Sequence, residues 1–143
     1  MNMRKKQRLA EACEKNGISL VYLFGSQKDS ALRMLEGGRV EITDPLADID
    51  VGVVFTRPLP PRGRHEIYAG VYRDLADLFD PYQLDLVFLE ENHSVFQAEA
   101  LKGYCVYWRD QDTRNRYEED ILRRAADFRP FLERYYEELL AEV

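Results

Sequence analysis

The sequence predicts an α+β (α/β) fold: a small mixed sheet flanked by helices, with one long helix at the C-terminal end. Three observations carry this prediction. Short apolar runs rich in β-branched and aromatic residues recur at 18–24, 48–55, 83–90 and 104–108, too brief for helices and bounded by turn residues. Segments of helical spacing lie between them. The segment 112–141 carries a sustained stripe of apolar residues with no strand-like alternation.

Taken in order, residues 3–15 form a first helix, stopped by Asn16-Gly17. The run 18–24 is a strand closed by Gly25. Ser26, a favoured N-cap type, opens a helix towards Gly37-Gly38. R-V-E-I-T-D-P-L-A then forms a loop or short hairpin, and the second strand is 48–55. The proline-rich T-R-P-L-P-P-R-G-R is an exposed connection. Ile67, Val71, Leu75 and Leu78 recur at helical spacing, predicting a helix over 63–79 that stops before Pro81. A third strand at 83–90, a helix at 94–102 and a fourth strand at Y-C-V-Y-W follow. In the last helix Ile121, Ala125, Phe128, Leu132, Tyr135 and Leu139 form a packing seam, interrupted by Pro130, which should bend it. Either that seam covers the protein's own sheet, or its far half docks a partner. One domain spanning 1–143 is expected, with a core at about 17–108 and the final helix at about 112–141.

Composition excludes several classes. No apolar run approaches the roughly 20 residues needed to span a bilayer, and no signal core follows the basic N-terminus, so the chain reads as cytoplasmic without membrane association. A formal net charge of −6 argues against direct nucleic-acid binding, which depends on neutralising phosphates. The cluster Arg4, Lys5, Lys6 and Arg8 reads as a solvated helix face. Cys13 and Cys105 have no metal-ligand spacing and read as ordinary reduced thiols, and His65 and His93 show no catalytic or metal pattern.

The informative residues are acidic. Aspartate is depleted from strands and costly to bury, yet Asp48 and Asp50 open one strand and Asp85 interrupts another. Residues i and i+2 of a strand share a face, so Asp48 and Asp50 project together. Adjacent carboxylates repel, and one holds a proton unless a cation sits between them. Magnesium relieves that conflict, since it is held by one or two carboxylates and completes its shell with water and phosphate oxygens. If the Asp85 strand pairs beside that of Asp48 and Asp50, the three carboxylates converge as ligands for two ions about 4 Å apart, the clamp used in phosphoryl transfer. Asp85 could also act as general base. Gly25-Ser26, at a strand-to-helix turn, offers backbone N–H groups and a hydroxyl to a phosphate. The competing structural reading makes Asp48 a turn cap after Pro45, Asp50 a hydrogen-bonded acid and Asp85 incidental.

Leu23-Phe24-Gly25-Ser26, Asp48-Ile49-Asp50 and the later Asp85 together resemble the DNA polymerase β-like nucleotidyltransferases, in particular the minimal nucleotidyltransferase (MNT) group, MntA-type antitoxins of HEPN/MNT toxin–antitoxin systems. A-L-K-G-Y-C-V-Y and the C-terminal R-Y-E-E-D-I-L-R-R-A-A-D-F-R-P-F-L-E-R are similar to the helix–strand unit and final helices of that group, so the resemblance covers most of the chain. It implies a polymerase-β-like fold and a magnesium-dependent transfer of AMP from ATP to a tyrosine hydroxyl of a cognate HEPN toxin. Two Mg²⁺ ions would be held by Asp48, Asp50 and Asp85, with Gly25 and Ser26 binding the nucleotide. The final helix could also mediate oligomerisation. Two alternatives stand beside it, a non-catalytic antitoxin that neutralises by occlusion and a small-molecule nucleotidyltransferase. One departure is the gap from Gln27 to Ala47, markedly longer than the family's, which bears on the mouth of the site.

Overall fold

The computed structural model describes residues 3–142, so Met1, Asn2 and Val143, the ends of the expected 1–143 domain, lie outside the described residues. Its first helix, α1 (Met3–Asn16), ends at Gly17, and β1 (Ile18–Phe24) follows at once. After α2 (Lys28–Leu35) come β2 (Ile49–Phe55), α3 (Arg64–Ala76), β3 (Leu84–Phe88), α4 (Ser94–Leu101), β4 (Tyr104–Trp108) and α5 (Gln111–Ala141). Short 3-10 turns extend α3 through Asp77–Phe79 and follow β3 at Leu89–Glu91.

The four strands form one mixed sheet in the order β3-β2-β1-β4. β1 runs antiparallel to both β2 and β4, while β2 and β3 are parallel, joined by the α3 crossover. Alternation along β1 splits the core. Val21 and Leu23 face one side with Ile49, Val51, Val53, Leu84 and Leu86, where α1, α2 and α3 pack. Leu20 and Tyr22 face the other side with Val54, beneath Leu89 and Ala100 of the α4 region. Helices therefore cover both faces, which explains why β2 reads as a nearly continuous apolar run.

The long helix lies on α4 rather than on the sheet: Ile121 and Ala125 close over Ala98. Among the described residues only its first half has such cover. Phe131, Tyr135, Tyr136 and Leu140 are more than half exposed, at 66%, 56%, 54% and 74%. The helix is continuous through Pro130, where Pro removes one backbone donor.

Several expected boundaries shift for physical reasons. The second helix does not start at Ser26; Gly25 and Ser26 form a turn and the helix begins at Lys28, after a Gln27 cap that makes no side-chain hydrogen bond. It ends at Leu35, and residues 38–48 contain no hairpin. That loop is pinned instead. The Tyr82 hydroxyl donates to the Val40 carbonyl and accepts from the Ile42 N–H, each at 3.0 Å, so Val40 and Ile42 pack against the core. His93 has a structural role, its Nδ1 accepting from Phe96 N–H as the N-cap of α4. Both cysteines are free thiols, Cys13 fully buried. Among the described residues no helix is long and apolar enough to cross a membrane.

Candidate functional site

Register brings the predicted residues to one end of the sheet. Phe24 pairs with Asp50, and Asp50 pairs with Asp85 on the parallel neighbour. The turn after Phe24, the Asp50 carboxylate and the Asp85 carboxylate thus lie on three successive strands. Gly25 has φ +77°. A Cβ there would lie 2.1 Å from Asp50 Oδ2. Glycine is required twice over, by its backbone angle and by the carboxylate resting against its α-carbon. The close approach to the turn is thus made by Asp50.

Asp48 lies one residue outside β2 and is exposed, as is Asp85, whereas Asp50 is half-buried. Asp85 is exposed despite its apolar neighbours Leu84 and Leu86 because β3 is an edge strand. Among the described residues no salt bridge joins Asp48, Asp50 or Asp85 to a basic side chain. Burial, a hydrogen bond with Asp85, and the charges of Asp85 and Asp48 push Asp50 up to about 6. A shared proton is the metal-free way to hold two adjoining carboxylates.

The donor set fits a hard divalent cation: all-oxygen, acidic and without a cationic partner. Among the described residues no three His, Cys, Asp or Glu side chains are already gathered into a metal centre. Asp50 and Asp85 are the adjoining pair, and Asp48 stands close enough to act on Asp50 by its charge.

A hollow of about 600 Å³ adjoins the acids on the β3 side, lined by Asp48, Asp85 and Gln83 and by Tyr68, Tyr72 and Arg73 of α3. Sequence reading missed this wall. Its signal was present, since Tyr68 and Tyr72 are four residues apart beside the Ile67–Val71–Leu75 stripe and so share a helix face. A larger hollow of about 680 Å³, against Cys13, Ile18, Phe55 and Leu59, opens at the opposite end of the sheet and contains none of the acids. Asp48 and Asp85 line the smaller one. On the other flank, Lys28 lies 5.9 Å above the Tyr104 ring, and Tyr104 donates to Asp29.

A glycine turn pressed against one aspartate thus lies beside a second aspartate on the next strand of a mixed sheet. The chain belongs to the polymerase β nucleotidyltransferase family, whose sequence model (Polymerase beta, Nucleotidyltransferase) matches residues 7–112. None of the curated proteins matches it. Among solved structures, it is similar to a chain from the complex of tri-AMPylated Shewanella oneidensis HEPN toxin with MNT antitoxin, with TM-score 0.62 and 17% identity over 98% of this chain and 99% of that one. A toxin–antitoxin structure with AMP-PNP matches with TM-score 0.62 and 19% identity, over 99% and 98% of the two chains. These likenesses establish a shared fold, including the long C-terminal helix.

Proposed function

We propose that this nucleotidyltransferase is the antitoxin of a HEPN toxin–antitoxin pair, transferring AMP from ATP to a tyrosine hydroxyl of its toxin in the cytoplasm. The observation that carries the reading is the line Gly25–Asp50–Asp85 across β1, β2 and β3. The solved relatives named above, one with an AMPylated toxin and one with an ATP analogue, support the choice of substrate and partner.

In this reading Gly25 and Ser26 present backbone N–H groups and a hydroxyl to the polyphosphate, beside the start of α2. Asp50 and Asp85, with Asp48, would hold Mg²⁺, two ions in the full arrangement, and the metal would supply charge neutralisation at the phosphates. The acceptor oxygen attacks the α-phosphorus, the bond to the bridging oxygen breaks, and pyrophosphate leaves. Asp85 accepts the acceptor's proton. Asp50 holds the Gly25 turn in place through its contact with the glycine α-carbon. The exposed second half of α5 is the surface that meets the toxin.

The test is intact-mass spectrometry of the co-encoded toxin after incubation with this protein, ATP and Mg²⁺, alongside an Asp48→Asn/Asp50→Asn variant. The expected result is a gain of one or more AMP units that the variant does not produce. A stable complex without mass gain would replace enzymatic silencing with occlusion.

A further inference from the structure

We propose that the hollow outside β3, walled by Tyr68 and Tyr72 with the exposed Arg73, is the acceptor site, and that it receives a phenolic side chain borne on a segment with a neighbouring carboxylate. The inference rests on the transfer reading above and assigns that reaction's second substrate to particular residues.

The argument is one of direction. Gly25, Asp50 and Asp85 follow one another across adjacent strands, about 4.8 Å per step. In phosphoryl-type transfer the attacking and leaving oxygens lie on opposite sides of phosphorus. With the polyphosphate at the Gly25-Ser26 turn, pyrophosphate departs over β1, so the attacking oxygen must approach over β3. β3 is the edge of the sheet. Beyond it lies the hollow that Asp85 and Asp48 share with α3.

The wall suits an aromatic guest. Tyr68 and Tyr72 are stacked, with centroids 6.2 Å apart and planes at 28°. Tyr68 is fixed from behind, its ring 5.5 Å from that of Phe88 and its hydroxyl donating to the Leu86 carbonyl. Tyr72 is half-buried and makes no hydrogen bond among the described residues, so its ring edge and hydroxyl remain for a ligand. Arg73 makes one long contact, 3.9 Å, with Asp74, which Lys15 and Asn16 already engage at 3.2 and 2.9 Å. Its guanidinium can therefore pair with a carboxylate on the incoming segment. The phenolic oxygen forms the new bond to the α-phosphorus, the proton passes to Asp85, and pyrophosphate is released on the far side.

Two measurements test this independently of each other. Saturation-transfer NMR with N-acetyltyrosinamide probes the hollow without any reaction. Ring-proton saturation is expected in the natural protein and in Ser26→Ala, retained in Tyr72→Phe and lost in Tyr72→Ala. Absence of saturation in the natural protein, or its persistence in Tyr72→Ala, would overturn the assignment. Steady-state AMP transfer to the toxin supplies the second readout. Tyr72→Ala and Arg73→Ala should each raise the acceptor KM roughly five- to tenfold while leaving the KM for ATP unchanged. A rise in the ATP KM instead would place the base in the hollow and overturn the proposal. If no toxin is modified yet the NMR pattern holds, the AMP-transfer reading fails and the aromatic site stands.

Discussion

Asp50 is the residue on which the site turns, because three influences meet on one carboxylate. It is half-buried, touches Gly25, and faces Asp85 with no ion pair to a basic side chain among the described residues. Its pKa, pushed up to about 6 against the usual 3.8, makes it a source of instability in the metal-free protein. A carboxyl whose folded pKa exceeds its unfolded one stabilises the fold fully only below the unfolded value. That contribution disappears as pH rises through about 6. Metal-free stability should therefore fall between about pH 4 and 6, by about 1–2 kcal/mol once solvent screening of a half-exposed group is allowed for. Asp50→Asn removes the titration and should flatten that slope in chemical denaturation across pH, while abolishing transfer. A variant that retains the slope would show that another group carries it. Asp50 and Gly25 were legible in the sequence as a strand aspartate and a strand-ending glycine. Their mutual contact was not, since it depends on the β1–β2 register and leaves no local pattern.

At the scale of elements, α5 divides at about Phe128. Before it, Ile121 and Ala125 are sealed against α4, and the Tyr22 hydroxyl donates to Glu118 Oε1 at 2.8 Å, tying the helix to β1. Beyond it, the seam residues Tyr135 and Leu139 are exposed, as are Phe131, Tyr136 and Leu140 around the same half of the helix. The seam was readable from its spacing; which half it would bury was not, because periodicity reports a face and says nothing of its neighbour. The strands and α-helices of the described residues follow from local pattern to within a few residues. The 38–48 loop did not, since its anchor, Tyr82, is distant in sequence. Ending the chain after Arg129 removes the uncovered half and leaves the α4 contact. Toxin affinity should drop by tenfold or more in titration calorimetry, with ATP-analogue affinity unchanged and the melting temperature within a few degrees. Parallel loss of both affinities would assign that half to the fold instead of to the partner.

The whole molecule couples these scales through charge. It is acidic overall, at −6, and its site adds adjoining carboxylates at one end of a sheet whose core is otherwise apolar. A divalent cation should thus stabilise the entire fold, and do so in competition with protons. Above its pKa Asp50 is ionised and, beside Asp85, free to take up Mg²⁺. At pH 5, a unit below about 6, most Asp50 carboxyls hold a proton that the metal must displace. For 10 mM Mg²⁺ and a dissociation constant of about 1 mM, linkage gives about 1.4 kcal/mol. In a protein of this size that corresponds to a rise of roughly 3–5 °C in melting temperature. The rise should appear at pH 7.5, vanish with a chelator, and shrink to roughly 1 °C or less at pH 5 as the competing proton weakens binding about tenfold. Asp50→Asn should show little rise at either pH, and Ser26→Ala should behave as the natural protein does. Equal shifts at both pH values would mean that Mg²⁺ stabilises by screening the general negative charge. Thermal melts across that grid of pH, metal and variant therefore separate binding at the acids from a diffuse salt effect without any substrate being present.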